Sequence, residues 1–126
     1  MEKTNHHLLQ GIDTLIMRVS NMAISKSWYQ DKLGLEVVWE DAEMKLAVLD
    51  TKGPTSLTLW QTAEKITVHK ETASYPIFKT GDAKALKEAL EQKGIATGDL
   101  VQDDYVVYFF FQDPDGNVLE ACQVLG

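Results

Sequence analysis

The sequence predicts an α+β fold built from two tandem βαβββ modules. The first observation is a pair of capped helices, because Asn21 and Gly34 bracket one amphipathic segment and Asp82 and Gly94 bracket another. The second is that one strand-forming run precedes each helix and three follow it, so the pattern is an internal repeat. The third is the length of 126 residues, which suits one domain or two small modules that share a core.

The first module spans about residues 11–61. Residues 12–19 predict a strand, and Asn21 begins a helix that Gly34 ends. We expect Ile24, Trp28 and Tyr29 to form the buried stripe of this helix. Three further strands are predicted at residues 35–40, 45–50 and 56–61.

A polar linker, residues 62–74, leads to the second module at about residues 75–124. Residues 75–80 predict a strand, and Asp82 caps a helix through residue 93 that buries Ala83, Leu86, Ala89 and Leu90. The remaining strands are predicted at residues 100–101, 104–112 and 118–124. Residues 113–117 (DPDGN) are typical of a turn.

Composition excludes several classes of partner. The 12 Lys+Arg against 19 Asp+Glu leave a net charge of −7, which disfavours nucleic acid and acidic membranes. The single cysteine, Cys122, permits no internal disulfide. We find no secretory signal pattern and no apolar run near the roughly 18 residues that span a bilayer, so we expect a cytoplasmic protein.

Strand alternation assigns one face of each sheet to the helix and leaves the other face open. In the first strand Leu15, Met17 and Val19 should face the helix, which places Thr14, Ile16 and Arg18 on the open face. The same argument applies to three other strands, and their open-face residues are Ser56, Thr58, Trp60, Tyr75, Ile77, Lys79, Val118, Glu120, Cys122 and Val124. In the aromatic run at residues 105–111, one alternate set of side chains should pack on the helix and the other set should line the open face.

The two modules resemble the vicinal oxygen chelate superfamily, which includes glyoxalases, bleomycin-resistance proteins and extradiol dioxygenases. The resemblance rests on residues 17–22 (MRVSNM), 27–29 (SWY) and 33–35 (LGL), and on residues 111–120 (FQDPDGNVLE). It covers about residues 11–124. It implies that the two modules form a curled mixed sheet around a U-shaped cleft, completed across a homodimer.

In the metal-dependent members of that superfamily, four cleft positions supply the metal ligands. The matching positions in this sequence are Thr14, Thr58, Tyr75 and Glu120, of which only Glu120 keeps a ligand of the family. Divalent transition metals prefer imidazole and carboxylate ligands over hydroxyls. We therefore predict no metal site and no cofactor, with a divalent metal as the less favoured alternative, and we leave open whether the protein is an enzyme.

Arg18 and Trp60 complete the predicted ligand cleft with those four positions. Arg18 and Glu120 either form a salt bridge, or one of them binds a ligand group of opposite charge, or they make no contact. Trp60 offers a flat apolar wall or packs in a core or dimer contact. His6, His7 and His69 fall on no ligand position of the family and are interpreted as incidental. Cys122 lacks the setting of a nucleophile.

The resulting hypothesis is a binding protein for a small aromatic or cationic compound. The alternative is a glyoxalase-like lyase or isomerase, or a dioxygenase-related enzyme, with non-standard ligands or with metal-free chemistry at Glu120 acting as a base. A protein partner without a small ligand is the third possibility.

Overall fold

A computed structural model describes residues 8–126, and His6 and His7 lie outside the described residues. The elements are β1 (Thr14–Val19), α1 (Met22–Leu33), β2 (Glu36–Asp41), β3 (Leu46–Asp50), β4 (Ser56–Gln61), β5 (Ile77–Lys79), α2 (Ala83–Gln92), β6 (Val101–Gln102), β7 (Val106–Gln112) and β8 (Val118–Val124). Each module forms its own mixed four-stranded sheet, in the order β1-β4-β3-β2 and β5-β8-β7-β6. The predicted α+β class and the two tandem modules are confirmed.

Helix α1 begins and ends where its capping residues predict. The Asn21 side chain accepts a hydrogen bond from the Ile24 amide at 3.0 Å, and Gly34 adopts the left-handed conformation with φ 71°. The predicted buried stripe was partly wrong, because Ile24 is 58% exposed while Ser25 and Tyr29 are buried. Ser25 and Tyr29 are four residues apart and share a face, whereas Ile24 lies about 100° around the helix from Ser25.

The first sheet follows the predicted alternation. Parallel strands β1 and β4 pair from Thr14–Ser56 to Val19–Gln61. Met17 and Val19 are buried in the core, whereas Ile16 is 50% exposed on the opposite side. We call the side of each sheet that faces away from its helix the open face.

The second sheet is built in the same way. On β7 and β8, Phe109, Leu119 and Ala121 are fully buried in the core. Helix α2 buries Ala83 and Leu90 and half-buries Leu86, but Ala89 is exposed, contrary to the prediction.

Strands β1, β3, β5 and β7 are each shorter than predicted, and local features explain two of these differences. Strand β5 begins at Ile77, since Pro76 before it lacks an amide proton for a ladder. Strand β7 begins at Val106, because the Asp103 side chain accepts hydrogen bonds from the Tyr105 and Val106 amides and holds a turn there.

The turn between β7 and β8 joins the two modules. The Tyr29 hydroxyl of α1 donates to the buried Asp113 carboxylate at 2.8 Å, and the Asn117 amide donates to the Arg18 carbonyl at 3.0 Å. The Ser20 amide donates to Asp115 at 3.1 Å. Burial and the Asp113 carboxylate raise the pKa of Tyr29, so its phenol stays protonated and remains a donor. Across residues 8–126, no helix is long and apolar enough to span a membrane.

Candidate functional site

Glu120 is a buried carboxylate on the open face of the second sheet. It is 7% exposed, and its strand neighbours Leu119 and Ala121 point the other way, into the core. Its cross-strand partners are Ile77 on β5 and Phe110 on β7. Within residues 8–126, no hydrogen bond or ion pair reaches its carboxylate, and burial raises its pKa. A desolvated carboxylate without a partner favours a cationic or proton-donating ligand.

Aromatic side chains adjoin Glu120 on the same face. Phe110 makes edge-to-face contacts with Tyr75, at a centroid distance of 5.7 Å, and with Tyr108, at 5.9 Å. Tyr75 precedes β5, so its position comes from this contact and not from a strand register. The predicted division of the aromatic run is confirmed, since Val107, Phe109 and Phe111 are buried while Tyr108 and Phe110 are half-buried on the open face.

Thr14 and Thr58 meet on the open face of the first sheet. Their hydroxyls are 2.7 Å apart, and the Thr14 hydroxyl also lies 3.2 Å from the Ser56 carbonyl. Thr58 is buried, at 4% exposure. Each hydroxyl therefore satisfies the other, and the pair forms a neutral polar spot in the sheet.

Arg18 lies on Trp60 rather than against Glu120. Its guanidinium carbon is 4.5 Å from the Trp60 ring centroid, and its Nε and Nη2 atoms donate to the carbonyls of Trp60 and Gln61 at 3.1 and 3.2 Å. The side-chain ion pairs of residues 8–126 are Lys26–Glu40 and Lys87–Glu91. The salt-bridge alternative for Arg18 and Glu120 is therefore wrong, and Arg18 keeps N–H groups that face solvent.

The four family ligand positions do not fit a divalent metal. They offer two hydroxyls that are hydrogen-bonded to each other, one phenol that packs on Phe110, and the Glu120 carboxylate. A single carboxylate supplies too few of the imidazole and carboxylate donors that such metals prefer. Within the described part of the chain, no cluster of three or more His, Cys, Asp or Glu residues is arranged to hold a metal.

The predicted cleft residues fall into three groups. Thr14 contacts Thr58, Arg18 contacts Trp60, and Tyr75 and Glu120 share Phe110 as a neighbour. A cavity of about 410 Å³ lies between the start of β5 and the starts of β1 and β4, and Tyr75, Leu15 and Ser56 are among its lining residues.

His69 and Cys122 are two further residues that the sequence analysis considered. His69 lies in the linker and lines a cavity of about 300 Å³ with Met17 and Val118. Burial and the Glu120 and Asp103 carboxylates raise the pKa of the Cys122 thiol. Cys122 therefore stays protonated near neutral pH, which agrees with its lack of a nucleophile setting.

The comparisons with known proteins agree with this fold. Residues 11–121 match the family model described as "Glyoxalase/Bleomycin resistance protein/Dioxygenase superfamily". The chain belongs to this superfamily. A search of the curated proteins gave no match.

Solved structures share the superfamily fold over nearly the whole chain. A putative glyoxalase family protein from Bacillus anthracis is 20% identical, with a TM-score of 0.80, and the match covers 96% of this chain and 100% of that one. TnmS3, an antibiotic binding protein from Streptomyces sp. CB03234, is 19% identical with a TM-score of 0.75, over 95% of this chain and 100% of that one. Lactoylglutathione lyase from Agrobacterium tumefaciens is 16% identical with a TM-score of 0.73, over 91% of this chain and 94% of that one.

Sequence reasoning left Phe110 and Lys70 out of the candidate site. Alternation in the aromatic run selects Phe110 once the pairing of β7 with β8 is known, because Phe110 lies opposite Glu120. Lys70 has its ammonium group 4.5 Å from the Phe110 ring centroid. It lies in the linker, where no periodicity indicates a direction for the side chain.

Proposed function

We propose that this superfamily member is a binding protein that holds a small aromatic compound with a cationic group on its open face, without a metal or other cofactor. The observation that carries the proposal is the Glu120 carboxylate, which is 7% exposed and has no described hydrogen-bond partner. A ligand cation would supply the missing partner. Tyr75, Phe110 and Tyr108 would contact its ring, since aromatic faces attract both rings and cations.

The position of Arg18 supports the proposal that the ligand carries a cationic group. Its charge is committed to Trp60 and to two carbonyls of β4, so it does not neutralise Glu120. The negative charge of Glu120 therefore remains available to a ligand. TnmS3, an antibiotic binding protein of the same fold, gives a precedent that is compatible with a binding role.

A matched pair of probes tests the proposal. We expect 1-methylquinolinium to bind more tightly than its neutral isostere 1-methylnaphthalene in calorimetric titrations. Glu120→Gln keeps the shape of the side chain and removes its charge, and it should weaken binding of the cation about tenfold, which corresponds to about 1.4 kcal/mol. Glu36→Gln, on the exposed first residue of β2, is the control and should leave the affinity unchanged.

Equal affinity for the two probes, or an equal effect of the two variants, would refute a cation site at Glu120. Elemental analysis of the purified protein tests the metal-free part separately. A stoichiometric divalent metal that is lost in Glu120→Gln would overturn it.

The raised pKa of Glu120 favours one second candidate, a metal-free lyase or isomerase. A carboxylate whose pKa is raised by burial is a stronger base than the same carboxylate in water. Turnover of hemithioacetals by metal-free protein, lost in Glu120→Gln, would favour this function over simple binding.

We also propose that two chains associate. Trp39 is 55% exposed on β2, an edge strand of the first sheet; its neighbour Val38 is 60% exposed, and Met44 in the turn after β2 is 52% exposed. An apolar edge strand is a ready surface for a second copy. Analytical ultracentrifugation should give a dimer that Trp39→Lys converts to a monomer, and a monomeric parent chain would refute the proposal.

A further inference from the structure

A cavity of about 520 Å³ lies at the junction of the two modules, and none of the six predicted cleft residues lines it. Its lining comes from Trp28 on α1, the loop 94–98 after α2, the end of β7, the turn after it, and Lys70 of the linker. We propose that this cavity is a second binding site, and that it takes a small aromatic monocarboxylate. Its volume is in the range of ligand pockets in proteins.

The walls of this junction cavity are suited to a ring. Its lining residues include the aromatic Trp28, Phe110 and Phe111 and the apolar Pro114 and Val118. The loop 94–98 approaches closely, since the Gly98 amide donates to the Phe110 carbonyl at 2.7 Å. A side chain at Gly98 would place its Cβ 3.4 Å from that carbonyl oxygen, which is an ordinary van der Waals distance, so this wall would also accommodate alanine there.

The charge of the junction cavity follows from which of its ionisable groups is already satisfied. The Asp113 carboxylate accepts hydrogen bonds from the Tyr29 hydroxyl, from the Asp115 amide, and from the backbone and side-chain amides of Asn117. These four donors saturate it. Asp113 is therefore part of the module junction and is not available to bind a ligand cation.

Lys70 is the other ionisable side chain of the cavity. Its ammonium group lies 4.5 Å from the Phe110 ring centroid, and no carboxylate within residues 8–126 pairs with it. The cavity thus presents one cation beside aromatic walls. A carboxylate on a ring-bearing ligand would pair with the ammonium group of Lys70 while the ring contacts Trp28 and Phe110.

The junction cavity and the open-face site carry charges of opposite sign. Glu120 gives the open face a negative charge, and Lys70 gives the cavity a positive one, although Phe110 borders both. Trp28 is on the helix side of the first sheet, opposite Thr14 and Thr58. The proposal for the cavity therefore does not depend on the cation proposal for the open face.

A nitrogen–proton correlation NMR titration of the full chain with 3-phenylpropionate tests the cavity. We expect saturable shifts at the amides of residues 94–98 and 112–116, and weaker binding of the neutral analogue 3-phenylpropionamide. Lys70→Gln should weaken 3-phenylpropionate binding about fivefold, because an exposed charge-assisted contact contributes about 1 kcal/mol. Lys65→Gln makes the same charge change elsewhere in the linker and should leave binding unchanged.

Three results would overturn the proposal. One is the absence of saturable shifts up to the solubility limit of the probe. Another is equal weakening by Lys70→Gln and Lys65→Gln, which would indicate attraction to overall charge alone. The third is a set of shifts centred on Tyr75 and Glu120, which would place the anion on the open face.

Discussion

Removal of the Asp113 carboxylate should destabilise this protein more than any exposed acidic substitution. Asp113 is 5% exposed, and its four hydrogen-bond donors lie 2.8 to 2.9 Å away. Two of those donors belong to buried side chains, the Tyr29 hydroxyl at 0% exposure and the Asn117 amide at 7%. Asp113→Ala leaves the Tyr29 hydroxyl without an acceptor, and it leaves one N–H of the Asn117 side-chain amide unpaired while the other still donates to the Arg18 carbonyl.

The size of the loss follows from those two groups. A buried donor left without an acceptor costs about 1–3 kcal/mol, so two of them predict a loss of about 4 kcal/mol in the free energy of unfolding. Tyr29→Phe removes a donor and leaves no orphaned group on the tyrosine, so we expect a loss of about 2 kcal/mol. The double variant should lose less than the sum, by about 1–2 kcal/mol, because the two side chains act on one bond.

Urea unfolding followed by circular dichroism measures these free energies, and a constant m-value verifies that the unfolding transition stays comparable. Asp103→Ala is the matched control. Asp103 also accepts two backbone hydrogen bonds, at 2.7 and 2.8 Å, but it is exposed, so we expect a loss of about 1 kcal/mol. Equal losses for the two Asp→Ala variants, or additive effects of Asp113→Ala and Tyr29→Phe, would refute the assignment of the module junction to Asp113.

Three further predictions concern pH, strand alternation and helix capping. Burial raises the folded-state pKa of Glu120, so the native chain binds this proton more tightly than the unfolded chain does. The protein should therefore lose stability as pH rises above the ordinary value of 4.5. Glu120→Gln should raise the melting temperature at pH 7, and this gain should disappear below pH 4.5. Phe109→Ala should cost about 3–5 kcal/mol of unfolding free energy, and half-buried Phe110→Ala clearly less, whereas similar losses would contradict the alternation. Gly34→Ala should lower the free energy of unfolding by about 1 kcal/mol, because Gly34 has φ 71°. Gly81→Ala, at a position without positive φ, should change it by less than about 0.5 kcal/mol. Equal effects of the two variants in chemical denaturation would contradict the helix cap at Gly34.

Local features were predictable from the sequence because their causes are local. Asn21 and Asp82 cap their helices through their own side chains, and Gly34 ends the first helix by a conformation that glycine adopts readily. Strand alternation likewise placed Met17 in the core and Glu120 on the open face. The error at Ile24 has the opposite origin, since hydrophobicity alone did not show which helix face the sheet would cover.

The candidate site was predictable only residue by residue. Alternation selected Arg18 and Glu120 correctly as open-face residues, but the side-chain direction of Arg18 is decided by the Trp60 ring and the β4 carbonyls beside it. Tyr75 owes its position to Phe110, a residue 35 positions later in the chain. Contacts of this kind depend on the parallel pairing of β5 with β8, strands far apart in the chain, which no local pattern specifies.

The sequence by itself determined the two βαβββ modules, their caps, their alternating faces and the superfamily, because each depends on short-range periodicity or on contiguous motifs. Only the tertiary structure decided that Glu120 is buried without a described partner, that Arg18 lies on Trp60, and that Asp113 joins the modules. The junction cavity beside Lys70 also emerged only there. The physical reason is that burial and pairing depend on residues far apart in the chain, whose distances are set when the two sheets pack.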